Sequence, residues 1–489
     1  MHGGHGHTSQ EPLRQATDVG VAGVDLDQGR PAWPVARLPR TPWWRHKPRQ
    51  PGEAEAGMRR VVSMAVALAL SGCASVGEGV TRALLAARQA EPEVDPRRCE
   101  ITGAAFPGLE ADLRRQDSFP ESSVGDPAKP VLKVVMVHGI GTHHPGYSGR
   151  LSANLSRELG LTVTAPQVKE VSLVHPKFPD EVLGILTVQR FTDPARRREM
   201  LFYETTWSRL SDAAKESIAF DNSKVHARQR ANLNQAAKAF VNDIAPDPLV
   251  YVGVGHTRVL SAVFQSMCWA YSTAWDDFPT TARPCLAEDP GFASRLEIDQ
   301  TRFVTHSLGS RVAIDALQNL AAELDKVVGQ RPAAATLKRR MQAKTSTIFM
   351  LANQLPLLQA GFPPAGVLDS IPAYCAEDGA SFGDRLFREV RIVAFSDPND
   401  LLSYPIPDNF VQEYLDSRIC PVAVNVTLNI TPVRSLFGLG EVADPLRSHQ
   451  DYEADARVIG LMAGGLGQTE TRPVVAERCT WIEVDESLR

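Results

Sequence analysis

One serine, two aspartates and a histidine stand where together they could make an activated nucleophile. Ser307 lies in Arg302-Phe303-Val304-Thr305-His306-Ser307-Leu308-Gly309-Ser310-Arg311. Phe303 and Val304 suit a buried strand. From Val312 onward, Ala313, Ile314, Ala316, Leu317 and Leu320 recur at helical spacing. A serine at such a strand-to-helix turn has a strained backbone and a hydroxyl raised above the sheet. The amide of Leu308 then lies at a helix N-terminus, which favours a developing negative charge. A serine hydroxyl attacks a carbonyl when a base takes its proton and an acid orients that base. His449 can be that base, and Asp400 or Asp397 that acid.

The elements that must position these groups alternate along the chain. Val131 to Val137 is a nearly continuous apolar run, suited to a central parallel strand, and it ends in His138-Gly139-Ile140-Gly141. Tyr147 to Leu159 reads as a helix with Leu151, Leu155 and Leu159 on one face. Residues 162–207 alternate in short strand-like runs. Residues 208–299 turn helical, with Leu260, Val263, Phe264, Met267, Cys268 and Tyr271 marking an amphipathic segment. This insertion reads either as a cap over a pocket or as an extra structural layer. Buried strands are expected at Thr345 to Ala352, Val390 to Phe395 and Val422 to Ile430. The aspartates follow the second of these, in Ser396-Asp397-Pro398-Asn399-Asp400-Leu401-Leu402, and His449 follows the third. Ser448 and Asp451 have capping-box spacing, which places His449 in a loop at a helix entrance. The alternation predicts an α/β fold with a mostly parallel sheet and its chemistry beyond the carboxyl ends of the strands.

Composition narrows the function classes. The chain has 489 residues, 43% of them apolar, and a net charge of −5. Bulk charge gives no argument for nucleic-acid binding, and no basic stripe carries interleaved aromatics. No Cys/His pairs have zinc-site spacing. Residues 1–57 are rich in proline and lack apolar periodicity, so they read as a disordered or mis-assigned extension. Met58-Arg59-Arg60, an apolar run from Val61 to Leu70 and Leu70-Ser71-Gly72-Cys73 have the order of a signal peptide over 58–73. Leu-Ser-Gly-Cys resembles a bacterial lipobox. That resemblance implies a lipidated Cys73 and a membrane-anchored envelope protein, with Ala74 favouring an outer membrane facing the periplasm. The six other cysteines, Cys99, Cys268, Cys285, Cys375, Cys420 and Cys479, permit three disulfides in an oxidising compartment. Residues 74–130 read as a helix and linker, 131–470 as the main domain and 471–489 as a tail.

Together the motifs resemble the α/β-hydrolase superfamily on its lipase and esterase side, over roughly Val131 to Gly465. The order Ser, Asp, His is the order of that family, and His449 is the only histidine C-terminal to Ser307. The usual elbow is Gly-x-Ser-x-Gly, and Thr305 departs from it at the first glycine. The resemblance implies a Ser307-Asp400-His449 triad, with Asp397 as the alternative acid. It also implies an oxyanion hole of the Leu308 and Ile140 N–H groups. The expected substrate is a carboxylic ester, lipid-like in its acyl chain, and the chemistry needs no metal or cofactor. The alternatives are a non-catalytic envelope lipoprotein using the fold as a binding scaffold, and a peptidase or acyltransferase with the same triad.

Overall fold

The structure is a computed structural model. It describes residues 99–119, 125–164, 168–222, 226, 229–289, 291–435, 441–467 and 471–484, all within one unit spanning Val62–Arg489. The extension 1–57, the signal segment 58–73 and Cys73 lie outside the described residues.

Eleven strands join in one sheet: β1 (Cys99–Thr102), β2 (Leu132–Val137), β3 (Thr162–Val163), β4 (Lys169–Val174), β5 (Val182–Thr192), β6 (Glu199–Thr206), β7 (Gln300–His306), β8 (Thr345–Leu351), β9 (Glu389–Ser396), β10 (Pro421–Leu428) and β11 (Thr480–Ile482). Their spatial order is β11-β1-β10-β9-β8-β7-β2-β6-β5-β3, with β4 on β5. The central strands β10, β9, β8, β7, β2 and β6 are all parallel. Antiparallel pairing is confined to the two flanks.

Helices cover both faces: α1 (Leu109–Arg115), α2 (Gly149–Glu158), α3 (Asp212–Ala219), α4 (Asn232–Ile244), α5 (Pro246–Val252), α6 (His256–Ser272), α7 (Gly309–Val327), α8 (Pro332–Gln342), α9 (Pro445–Gln450) and α10 (Ala456–Gly464). Successive side chains of a strand point to opposite faces, so the apolar run at β2 feeds two cores. Val131, Val135 and Val137 pack in one core with Val259 and Val263 of α6 and Val312 and Ile314 of α7. Leu132, Val134 and Met136 pack in the other with Leu113 of α1, Leu151 and Leu155 of α2 and Val458 of α10. Each side chain fully buried this way contributes about 1.5–3 kcal/mol. Lys133 interrupts the run. Its buried ammonium donates to the carbonyls of Ala270 and Thr273, both at 2.6 Å, and meets Asp299 at 2.7 Å. It therefore neutralises the carboxyl end of α6 rather than standing unpaired.

Two expectations change, and one open alternative is decided. The segment read as a linker contributes β1, and the segment read as a tail contributes β11, which pairs with it. Both are short strands at one flank of the sheet, and four or three residues leave little periodicity to read. The amphipathic segment in the insertion is α6, and it is a structural layer against the sheet. Leu260, Val263 and Met267 are core residues and Phe264 packs against them, so none of them forms an open acyl groove.

The six described cysteines pair as Cys99–Cys479, Cys268–Cys285 and Cys375–Cys420. The first ties β1 to the residue preceding β11 across a sequence separation of 380. Peptide mapping without reduction should recover these three linked pairs. Free thiol at any of the six in protein secreted into an oxidising compartment would contradict the pairing.

Candidate functional site

The residues singled out in the sequence converge beyond the carboxyl ends of β2, β7, β9 and β10. The geometry begins with one backbone angle. Ser307, immediately after β7, has φ +57°, in the left-handed region that non-glycine residues rarely adopt. Holding a serine there costs on the order of 1–3 kcal/mol, so its surroundings must enforce it. Ser307 N–H donates to Leu351 O at 2.9 Å, which pins the turn to the end of β8. Gly309 opens α7 directly against the end of β2. A Cβ at that position would lie 2.4 Å from Val137 O.

The loop after β2 is pressed against the same turn. A Cβ on Gly139 would lie 2.5 Å from Ser307 Cβ and 2.9 Å from Ser307 Oγ, so only glycine permits the approach. The Leu308 and Ile140 N–H groups donate to no other group among the described residues. Gly141 N–H is committed instead, to Asp247 Oδ2 of α5 at 2.5 Å.

The loop is held in shape by a buried aromatic box. His138 Nε2 accepts from Trp207 N–H at 3.0 Å, which leaves the ring proton on Nδ1 to donate to Gly139 O at 2.8 Å. Trp207 stacks on His138 with ring centroids 4.6 Å apart. His143 contacts Ile140 O at 3.1 Å and lies against the His138 ring.

The base and the acid meet through long-range folding. His449 Nδ1 lies 2.9 Å from both oxygens of Asp400. That pairing puts the proton on Nδ1 and leaves the Nε2 lone pair free. Ser307 Oγ and His449 Nε2 are both buried without a hydrogen-bond partner. The first is a donor and the second an acceptor. His306 Nε2 donates to His449 O at 2.8 Å, and the two rings meet edge to face at 5.1 Å. His449 is therefore tied to the residue adjoining Ser307.

His449 lies within the short helix α9 rather than in a loop. The cap is Asp444, whose side chain accepts from Leu446 and Arg447 N–H. Ser448 forms no capping box, because its hydroxyl meets Thr431 Oγ1 at 2.6 Å.

Asp397 is occupied elsewhere. Its carboxylate accepts from Asn399 N–H at 2.8 Å and from Ile430 N–H at 2.7 Å, so it closes its own turn and anchors the end of the β10 segment. Asp400 is surrounded differently. Burial works to raise its carboxyl. Hydrogen bonds from His449, Leu402 N–H and Ser403, with the charge of His449, outweigh it and leave Asp400 below the ordinary carboxylate range. Tyr452, which the sequence did not flag, is the hub of this cluster. Its hydroxyl accepts from Asp397 N–H at 2.7 Å, meets Ser403 Oγ at 3.2 Å and reaches Asp400 Oδ2 at 3.5 Å. Nothing local in Asp451-Tyr452-Glu453 signals that role. Asp247 also escaped notice. Only its place between Pro246 and Pro248, which reads as a helix start, marks it.

No family model matches the chain, and neither a curated protein nor a solved structure matches it. Among the described residues no group of His, Cys, Asp and Glu could hold a metal ion, and no helix is long and apolar enough to cross a membrane.

The histidines set a pH dependence. Burial pushes His306 down to about 3, with the neighbouring His449 adding to it, and burial pushes His138 and His143 down as well. The unfolded chain, whose histidines keep the ordinary value of about 6.5, binds more protons than the folded one below that pH. Stability is therefore full above about pH 6.5 and falls as pH drops towards the folded values. Tm measured from pH 7 to 5 should decline steadily. His306→Gln keeps a donor towards His449 O and cannot ionise, so it should flatten part of the slope. An unchanged slope in that variant would contradict the assignment.

Proposed function

We propose that this protein is a serine hydrolase of α/β-hydrolase type that cleaves carboxylic esters through an acyl-enzyme. The observations that carry the reading are a buried, partnerless Ser307 Oγ at a left-handed strand-to-helix turn and a buried, partnerless His449 Nε2 whose other ring nitrogen meets Asp400, with His449 O bound by His306 next to the serine. Structural serines and histidines satisfy their polar atoms when buried. A nucleophile and its base keep theirs free for a substrate.

In this reading His449 Nε2 takes the proton as Ser307 Oγ attacks the carbonyl carbon. Asp400 fixes the tautomer and stabilises the imidazolium. The oxyanion forms against the Leu308 and Ile140 N–H groups. His449 then gives the proton to the leaving oxygen, and water repeats the sequence on the acyl-enzyme. The remaining parts support the same chemistry. Gly139 admits the loop to the nucleophile, while His138 and Asp247 set its shape.

The substrate is read as an ester with an apolar acyl chain. Leu357 lies in a short helix, Leu355–Gln359, after β8, and Leu401 and Tyr404 lie on the loop after β9, at the end of the sheet that carries Ser307. They are 42%, 60% and 41% exposed. Apolar side chains left open beside Asp400 suit an apolar acyl group better than a peptide. A lipid anchor at Cys73, also part of this proposal, would hold the enzyme at a membrane and raise its concentration near lipid substrates.

Ser307→Ala should abolish both labelling by a fluorophosphonate and hydrolysis of p-nitrophenyl esters, while circular dichroism stays native. Labelling that survives the substitution would overturn the reading in favour of a binding scaffold. Asp400→Asn should lower kcat by up to about ten-thousand-fold through the wrong tautomer, and Asp397→Asn should instead lower Tm. Tyr452→Phe removes one hydrogen bond to a carboxylate, worth about 1.5–3 kcal/mol. It should lower kcat by about ten-fold or more and leave KM unchanged. A rise in KM alone would assign Tyr452 to the substrate pocket.

A further inference from the structure

At the opposite end of the sheet, arginines converge on a recess that the proposed hydrolysis does not use. Strands β7, β8 and β9 begin there. Seven residues of β7 at about 3.3 Å each put roughly 20 Å between this recess and Ser307. Its volume is about 720 Å³. That lies within the range of about 300–1,000 Å³ usual for small-ligand sites. Arg115 of α1, Arg302 of β7, Arg339 and Arg340 of α8, Lys344 before β8 and Arg388 before β9 line it, with Glu297 as the carboxylate among the lining residues.

The counter-charges do not match these cations. Arg302 meets the buried Asp112 at 2.9 Å, and Arg340 meets Glu297 at 2.9 Å. Arg388 reaches the exposed Glu377 only at 3.9 Å. Lys344 donates to the carbonyls of Glu297 at 2.9 Å and Asp299 at 3.0 Å. Arg339 contacts only Thr336 Oγ1 of its own helix, at 3.1 Å, and Arg115 acts on the Asp112 carboxyl through its charge but makes no side-chain hydrogen bond or ion pair among the described residues. Burial brings Lys344 down to about 8. Asp299 pulls it back up, and Arg302 and Arg115 push it down again.

Basic residues in the last turns of α1 and α8 complement those helix dipoles, which explains two elements of the cluster. It does not explain why side chains from two helices, one strand and two connecting segments face a single concave space. Like charges brought together repel, and a bound polyanion is what relieves them. Guanidinium forks favour the paired oxygens of phosphate over a point anion.

We propose that this recess is a second, non-catalytic site that binds a compact phosphate-bearing polyanion: a diphosphate, or a phosphate monoester at the end of a larger molecule. Arg115 and Arg339 are the residues available to make new bidentate contacts. Arg302, Arg340 and Lys344 supply the field from deeper in the recess.

The test uses the full chain with inorganic pyrophosphate as the probe, in calorimetric titrations at about 0.15 M salt, where weak non-specific attraction is screened. Saturable one-to-one binding is expected. Arg115→Gln and Arg339→Gln should each weaken it at least ten-fold. Both side chains are exposed and lie far from Ser307, so the rate of fluorophosphonate labelling should not change, and Tm should fall by no more than the loss of one helix-end charge explains. Co-sedimentation with vesicles containing phosphatidic acid, whose headgroup is a phosphate monoester, against phosphatidylcholine vesicles, distinguishes the source. Binding to the former that the same substitutions weaken makes the phosphate a lipid headgroup, and pyrophosphate binding without vesicle binding makes the ligand soluble. Absence of saturable pyrophosphate binding, or equal affinity in wild type and both variants, would overturn the proposal.

Discussion

The site depends on one strained residue, Ser307 at φ +57°, and on the packing that keeps it so. An isolated serine would relax to an extended or helical conformation. Here it cannot, because its own N–H is bound to β8, α7 starts against β2, and the loop after β2 closes on its side chain. The two glycines that allow this, Gly139 and Gly309, sit where any Cβ would collide with backbone. The strain is local and its containment is spread over three strands. That arrangement points the hydroxyl at the groups beyond the sheet without a flexible tether.

Around this turn, most buried polar groups are satisfied and a few atoms are left over. Asp397 is used up by its turn and by Ile430, Gly141 by Asp247, the His138 ring by Trp207 and Gly139, and the His306 ring by His449 O. Tyr452 joins the two aspartate loops through one hydroxyl. In a low-dielectric interior a half-satisfied network is costly, so the surrounding completeness gives weight to the exceptions. Ser307 Oγ and His449 Nε2 are among these exceptions, with Ser396 Oγ beside Asp397 and Gln354 Nε2 after β8. Thr305, where a glycine would usually stand, is accommodated because it is still a strand residue. Its hydroxyl contacts Ser310 Oγ in the first turn of α7 at 3.3 Å.

The sheet supplies rigidity at both of its ends. Parallel strands bury both faces and align their carboxyl ends, so loops far apart in sequence arrive on one surface. The insertion between β6 and β7 divides its work. Helix α6 completes the core beside α7, while α5 reaches the loop after β2 through Asp247. The helix carboxyl ends gather at the other edge of the sheet, together with the basic cluster.

Much of this was legible in the residues alone. Apolar runs, turn residues and their order determined a parallel α/β sheet. Ser307, His449 and the two Gly-bearing turns could be read locally, because elbow chemistry is written in contiguous residues. Where contacts are made across the fold, the sequence was silent or divided. Asp397 and Asp400 follow the same strand three residues apart, and only Ile430 and His449, brought in from β10 and α9, separate a turn anchor from the partner of the imidazole. Periodicity showed α6 to be amphipathic, but an apolar face looks the same whether it covers a pocket or fills a core. Tyr452 and Asp247 have no local signature, since their role is only a distance to residues 52 and 106 positions away. Patterns within one element report on that element. Which elements meet is settled by packing, and packing assigned Asp400, Tyr452 and Asp247 to their places.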